Sequence, residues 1–166
     1  MIEVHPQLWV GGGADFDTVI RDTTWVVDWY IVSCGKEPWH REALGYTGCG
    51  APKDHPEYLI AARPDHLILN LVDVEDVSYI NPKIIEAALE AITENLPHRK
   101  VLVHCNQGNS RAPTIALLWM RASDWFYPMM KRLSYNDAKA AFKERYPTFE
   151  PAAGMDGYAR KVWEGE

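Results

Sequence analysis

The stretch between residues 101 and 120 constrains the fold more than any other part of the sequence. It opens with three apolar residues, Val101–Val103, which are typical of a buried strand. A polar loop that contains a glycine follows, and from Ala112 onward apolar residues recur at helical spacing. A buried strand that leads through a loop into a helix is the repeating unit of α/β proteins. We therefore predict an α/β fold with a mostly parallel central sheet flanked by helices.

The rest of the chain repeats this alternation and shows no long linker. Further strands are predicted at residues 7–10, 25–32 and 67–72, and helices at residues 15–22, 38–44, 81–96, 138–145 and 155–163. The run Gly11–Gly13 lacks the Lys-Ser/Thr ending of a nucleotide-binding loop, so we interpret it as a turn. Residues 33–66 hold four glycines and four prolines and are predicted to be an irregular, insertion-like region. The length of 166 residues favours a single domain, 1–166.

Composition and charge narrow the range of functions. The chain has 47% apolar and 24% charged residues, which is ordinary for a globular protein, and its net charge of -6 disfavours nucleic acid as a partner. No apolar run approaches the roughly 20 residues that span a bilayer, and the N-terminus lacks the features of a signal peptide, so we expect a cytoplasmic protein without a membrane partner. The three cysteines form no CxxC pair, and no metal or other cofactor is predicted.

Residues 105–111 carry the clearest chemical signal in the sequence. Cys105 comes directly after the buried strand, and Arg111 stands six residues later, where the next helix begins. A loop between a strand and a helix can point its backbone N–H groups inward, and the helix N-terminus adds partial positive charge. Gly108 permits a tight turn within the loop, and the guanidinium of Arg111 matches the geometry of phosphate oxygens. The sequence therefore predicts a binding site for a tetrahedral anion.

The same positive field favours the thiolate form of Cys105, and a thiolate beside a bound phosphoryl group can attack phosphorus. The loop also resembles a known signature. His-Cys-x-x-Gly-x-x-Arg is the phosphate loop of the cysteine-dependent protein tyrosine phosphatases, and the short chain is most similar to the dual-specificity phosphatases. The resemblance implies that Cys105 is the nucleophile, that Arg111 binds the phosphoryl group, and that His104 tunes the nucleophile without touching substrate. The remaining predicted phosphate-binding residues are Asn106, Gln107, Gly108, Asn109 and Ser110.

The family also uses an aspartic acid as general acid, on a loop about one strand–helix unit before the cysteine. Asp73 follows the predicted strand at residues 67–72 directly, and we favour it for this role. Glu75 and Asp76 on the same loop are alternatives. A protonated carboxyl there would neutralise the leaving oxygen and, as a carboxylate, would then activate water.

Two further positions bear on the chemistry. Relatives usually carry Ser or Thr after the arginine, where the hydroxyl stabilises the departing thiolate, but Ala112 occupies that position here. The phosphatases of regenerating liver share this Arg-Ala-Pro sequence and turn over slowly. Cys34 and Cys49 are interpreted as inert or exposed thiols. Some relatives protect the nucleophile through a disulfide with a second cysteine near a neighbouring strand end, and Cys34, which follows the predicted strand at residues 25–32, is the alternative candidate for that role.

The sequence thus predicts a phosphatase that forms a cysteinyl-phosphate and acts on a phosphorylated protein or a small phosphomonoester. The loop lacks lysines and the chain is acidic, which disfavours phosphoinositide or polyphosphate substrates. An interaction module that binds phosphate with little turnover is the alternative, and Ala112 favours it. A rhodanese-like or arsenate-reducing enzyme fits less well, because it would leave Asp73 without a role.

Overall fold

The computed structural model describes residues 1–123 and 130–165, and within them six strands form one mixed sheet. The strands are β1 (Ile2–His5), β2 (Leu8–Gly11), β3 (Trp29–Cys34), β4 (Ile60–Ala62), β5 (His66–Leu69) and β6 (Lys100–His104). Their order across the sheet is β1-β2-β6-β3-β5-β4. The four central strands are mutually parallel, whereas the edge strands β1 and β4 are antiparallel to their neighbours. The predicted α/β class with a largely parallel centre is confirmed.

Helices cover both faces of the sheet. They are α1 (Gly13–Ile20), α2 (Trp25–Asp28), α3 (Arg41–Leu44), α4 (Pro82–Asn95), α5 (Arg111–Ala122), α6 (Tyr135–Arg145) and α7 (Ala153–Glu164). A π-helical turn, Lys36–His40, leads into α3. The helix α5 is buried along its first ten residues, because it packs between the sheet and the helices α4 and α7. This packing fixes the start of α5 directly beyond the end of the central strand β6.

Several predicted elements start or end elsewhere. The predicted strand at residues 25–32 begins only at Trp29, because Trp25–Asp28 forms a helical turn in which Val27 is 73% exposed. The predicted strand at residues 67–72 runs from His66 to Leu69 instead, although the Asn70 amide continues the register with β4 by donating to the carbonyl of Leu59. The edge strands β1 and β4 were not predicted, since each is only three or four residues long. The start of the final helix, predicted at residue 155, lies at Ala153.

Candidate active site

The loop of residues 105–110 connects β6 to α5 at the carboxyl end of the sheet's central strands. Cys105 lies at the base of this loop and is 1% exposed. Gly108 sits at the tightest point, with φ of 77°, and a Cβ atom there would lie 2.8 Å from the carbonyl carbon of Gly11. Both the left-handed backbone and the close approach require glycine at this position.

The carbonyl groups of the loop are tied outward to other parts of the fold. Four such carbonyls accept hydrogen bonds: Asn106 from the Gly13 amide at 3.0 Å, Gly108 from the Tyr146 hydroxyl at 2.8 Å, Asn109 from the Glu150 amide at 2.8 Å, and Ser110 from the Thr114 hydroxyl at 2.7 Å. These bonds come from α1, the end of α6, the segment before α7, and α5. They hold the peptide planes of the loop from behind.

The backbone N–H groups of the same loop are not used in this way. Among the described residues, no amide of residues 106–110 donates to another protein atom. With four of the loop carbonyls already bonded, these amides are the donors that the loop has left for an anion, as in an anion-binding nest. The N-terminus of the 12-residue helix α5 lies at the same point and adds its dipole. The predicted anion site therefore has a physical basis in the bonding of the loop itself.

Arg111 is the first residue of α5 and is 8% exposed. Its guanidinium donates to the Asn106 side-chain oxygen at 2.6 Å and to the Leu71 carbonyl at 3.2 Å. Its Nε atom is buried and has no hydrogen-bond partner within residues 1–123 and 130–165. A buried guanidinium with an unpaired donor is a strong binding group for an oxyanion.

Asp73 is placed beside the phosphate loop. Its Oδ1 atom accepts a hydrogen bond from the Ser110 hydroxyl at 2.8 Å, and its Oδ2 atom lies 3.7 Å from Nε of Arg111. The two alternative acids do not share this position: Asp76 caps the turn at residues 77–79 by accepting from the Ser78 amide at 2.8 Å, and Glu75 is exposed. Of the three candidates, Asp73 alone contacts residues of the loop in the part of the chain that the structure describes.

Asp73 lines a small cavity of about 280 Å³ together with Asn106 and Arg111. Its lining residues are Lys36, Glu37, Leu71, Val72, Asp73, Asn106 and Arg111. Lys36 and Glu37 form part of the wall of this cavity. Both belong to residues 33–66, the region predicted to be an irregular insertion. An anion in this cavity would lie against Arg111 and Asp73, whereas Cys105 is 1% exposed and is not one of the lining residues.

His104 is fully buried beneath the loop and does not line the cavity. Its Nε2 atom is 2.6 Å from the Ser33 hydroxyl, which is in turn 2.7 Å from Nε2 of His66. The His104 ring stacks on Phe16 with ring centroids 4.6 Å apart. Burial, with smaller contributions from nearby His66 and Arg111, holds the pKa of His104 well below its ordinary value, so the ring is neutral at neutral pH.

Cys34 lies at the same edge of the sheet as Cys105. Ser33 in β3 pairs with His104 in β6, so Cys34, the last residue of β3, and Cys105, the first residue after β6, occupy corresponding positions on neighbouring parallel strands. Cys34 is fully buried, and burial raises the pKa of its thiol well above the ordinary value, with the nearby charge of Cys105 acting in the same direction. Cys34 and Cys105 are both free thiols in this structure, so a disulfide between them stays a prediction.

Other residues of the site were missed by the sequence argument. The Gly11–Gly13 run was predicted to be a turn, but Gly11 ends β2, Gly12 caps α1 and Gly13 begins that helix, and the Gly13 amide also donates to the phosphate loop. Tyr146 contributes a buried hydroxyl bond to Gly108, and Asn106 orients Arg111 rather than only lining the loop. The Gly13 and Tyr146 contacts join residues far apart in the chain, and neither spacing nor composition signals them.

No group of three or more His, Cys, Asp or Glu side chains that could hold a metal ion is found within residues 1–123 and 130–165. In the same part of the chain, no helix has both the length and the apolar character needed to cross a membrane.

In sequence comparisons, no family model and no curated protein matches this chain. Solved structures do match its fold. A variant of human DUSP28 is 17% identical, covering 99% of this chain and 94% of its own, with a TM-score of 0.66. The Yvh1 phosphatase domain from Chaetomium thermophilum is 21% identical, covering 99% and 94%, with a TM-score of 0.60. The human tyrosine phosphatase-like serine/threonine/tyrosine-interacting protein is 17% identical, covering 96% and 93%, with a TM-score of 0.58. The chain therefore has the fold of the dual-specificity phosphatases, as its loop predicts.

Proposed function

We propose that the protein hydrolyses phosphomonoesters through a cysteinyl-phosphate intermediate, with phosphorylated protein side chains as the favoured substrates. The observation that carries this proposal is the bonding of the phosphate loop, whose carbonyls are tied outward while its N–H groups remain available for an anion. Donors fixed in advance stabilise the charge of a phosphoryl transition state without reorganising. The likeness in fold to phosphatases supports the same conclusion.

The first chemical step transfers the phosphoryl group to the protein. The thiolate of Cys105 attacks phosphorus, an S–P bond forms, and the bond from phosphorus to the leaving oxygen breaks. Arg111 and the loop amides hold the equatorial oxygens, and Asp73 gives its proton to the leaving oxygen. The alcohol or phenol departs, and Asp73 is left as a carboxylate.

The second step releases phosphate. The Asp73 carboxylate takes a proton from a water molecule whose oxygen attacks phosphorus, and the S–P bond breaks to return the thiolate of Cys105. The helix dipole and the loop amides stabilise the negative charge that returns to the sulfur of Cys105. Ala112 is fully buried at the second position of α5 and has no hydroxyl to assist.

A second candidate function is a module that binds phosphate groups with little turnover. The missing hydroxyl at Ala112 favours it. One of the similar structures also carries the name of a phosphatase-like interacting protein.

The deciding experiment compares the wild type, Cys105→Ser and Cys49→Ser. Cys49 is exposed and lines none of the site, so Cys49→Ser is the matched control. Hydrolysis of 4-nitrophenyl phosphate should fall by more than about tenfold in Cys105→Ser alone, because a serine hydroxyl does not ionise at neutral pH. Calorimetric binding of tungstate, a tetrahedral oxyanion, should persist in all three proteins, since Arg111 and the loop amides are unchanged.

The outcomes separate the two functions. A wild type that binds tungstate but is no more active than Cys105→Ser would establish the binding module instead of the enzyme. Activity in Cys105→Ser above about a tenth of the wild type would remove Cys105 as the nucleophile. Loss of tungstate binding in a folded Arg111→Ala variant would be expected under both functions and would identify the site.

A further inference from the structure

A short backbone segment joins the two halves of the site. Residues 150–154, which we call the strap, precede α7 and include its first two residues. The Glu150 amide donates to the Asn109 carbonyl at 2.8 Å, and the Ala152 amide donates to the Ser110 hydroxyl at 3.0 Å. Two successive residues of the phosphate loop are thus bonded to the strap.

The same strap is bonded to the loop that carries the general acid. The Gly154 amide donates to the carbonyl of Val74 at 3.0 Å, and Val74 follows Asp73 directly. The Ser110 hydroxyl, which accepts from the strap, in turn donates to the Asp73 carboxylate. One segment therefore contacts the phosphate loop at one end and the acid loop at the other.

Gly154 makes a backbone contact that no other residue allows. A Cβ atom at this position would lie 2.3 Å from the carbonyl oxygen of Val74 and 3.4 Å from that of Asp76. The obstructing atoms belong to the backbone, so a side-chain rotation cannot relieve the contact. To reach even the 3.0 Å lower limit of real Cβ contacts, the acid loop would have to move away by at least 0.7 Å.

We propose that the strap is a positioning element for general acid catalysis, and that Gly154 sets the distance of the acid loop from the phosphate loop. The proposal rests on the proposed phosphatase function, and it names how the Asp73 carboxyl is brought to the leaving oxygen. Proton transfer requires heavy atoms within hydrogen-bond reach, and a displacement of about 1 Å can lower a rate by about a hundredfold. The strap does not touch the cavity itself.

The test compares Gly154→Ala with Gly157→Ala. Both variants replace glycine with alanine in α7, so they share the same gain in helix propensity. A Cβ atom at Gly157 meets only the Val77 side chain, at an ordinary 3.9 Å. The control therefore changes the helix in the same way without displacing the acid loop.

Two substrates distinguish acid catalysis from a general loss of structure. Phenyl phosphate has a poor leaving group that needs protonation, whereas 4-nitrophenyl phosphate needs little. Gly154→Ala should lower kcat for phenyl phosphate by at least about tenfold and kcat for 4-nitrophenyl phosphate by less than about threefold. The basic limb of its kcat–pH profile should flatten, and its tungstate affinity should match that of Gly157→Ala, because the phosphate loop keeps its other tethers.

Equal kinetics in the two glycine variants, or an equal loss on both substrates in Gly154→Ala, would overturn the role of the strap while leaving the phosphatase function in place. If Gly154→Ala does not fold, Ser110→Ala replaces it, since that variant removes the hydroxyl shared by the strap and Asp73 without adding an atom. The same selective loss on phenyl phosphate is then expected, and its absence overturns the proposal. A wild type no more active than Cys105→Ser would instead refute the proposed function, and with it any role of the strap in acid catalysis.

Discussion

Replacing Asp73 with asparagine removes a proton donor and a negative charge while keeping the shape of the side chain. The Oδ1 atom of Asn can still accept the 2.8 Å hydrogen bond from the Ser110 hydroxyl, so the acid loop should stay in place. What changes is the group that lies 3.7 Å from Nε of Arg111. An uncharged amide there can neither protonate a leaving oxygen nor compete with a phosphoryl group for the guanidinium.

Loss of the proton donor should affect kcat, whereas loss of the negative charge should affect anion affinity, and the two effects differ in size. Loss of general acid catalysis should lower kcat for phenyl phosphate by about 10²–10⁴. The Coulomb energy of unit charges 3.7 Å apart is about 4.5 kcal/mol at an effective dielectric constant of about 20. Because the Asp73 side chain is 31% exposed, solvent reduces the net value to about 1 kcal/mol, or about fivefold tighter anion binding in Asp73→Asn. The fall in kcat therefore dominates kcat/KM.

Steady-state kinetics on phenyl and 4-nitrophenyl phosphate, with tungstate calorimetry, measure both effects. Asp76→Asn is the control, because an asparagine can replace the Asp76 carboxylate as the cap that accepts from the Ser78 amide. If Asp76→Asn shows the selective loss and Asp73→Asn does not, the acid is three residues away from our assignment. If tungstate binds more weakly to Asp73→Asn than to the wild type, the reasoning about competition for Arg111 is wrong.

Three other changes test further parts of the site. Ala112→Ser adds a hydroxyl that can donate a hydrogen bond to the departing thiolate, worth about 1.5–3 kcal/mol. Faster breakdown of the phosphoenzyme should then shrink the pre-steady-state burst that we expect of the wild type. A wild type without a burst, together with an unchanged rate in the variant, would contradict this. Mild peroxide should give reversible inactivation through a Cys34–Cys105 disulfide, seen by mass spectrometry, and irreversible inactivation in Cys34→Ser; equal recovery on reduction would exclude the pairing. Below pH ~6.5 His104 takes up a proton in the unfolded chain but stays neutral in the folded protein, because burial lowers its pKa there. The free energy of unfolding should therefore decrease as the pH is lowered, by up to about 1.4 kcal/mol per pH unit. His104→Gln should weaken this dependence in urea unfolding at about pH 7.5 and about pH 5.5, and an unchanged slope would contradict it.

The residues of the phosphate loop could be identified from the sequence because they are contiguous. Cys105, Gly108 and Arg111 lie within one strand–loop–helix unit, and local geometry alone determines that they face the same point. Asp73 could be placed near the loop as well, since it comes shortly after β5 (His66–Leu69), whose carboxyl end lies at the same edge of the sheet. In both cases the residue follows a central strand, and the direction of that strand determines the edge of the sheet at which the residue lies.

The elements that support the loop could not be identified in this way. Tyr146 bonds to Gly108 across 38 positions of the chain, and Gly13 bonds to Asn106 across an even larger separation. Each contact is made by a backbone group or a common side chain, and which partner it meets depends on how the helices pack. The helical turn at Trp25–Asp28 was missed for a different reason: apolar and β-branched residues favour a strand, but a four-residue run has no period that separates strand from helix.

The phosphate loop and Asp73 should differ in how strongly each responds to the loss of a single supporting hydrogen bond. The phosphate loop is held by donors from several separate elements, so the loss of any one leaves the anion site largely formed. Asp73 is held against that loop by one hydroxyl bond from Ser110, by its ion pair with Arg111 and by the strap contact through Gly154. Changes around the loop should therefore alter binding in small steps, whereas changes at the strap should lower kcat with little effect on binding. This difference follows from the number of independent contacts on each side, and it holds whichever phosphomonoester enters the cavity.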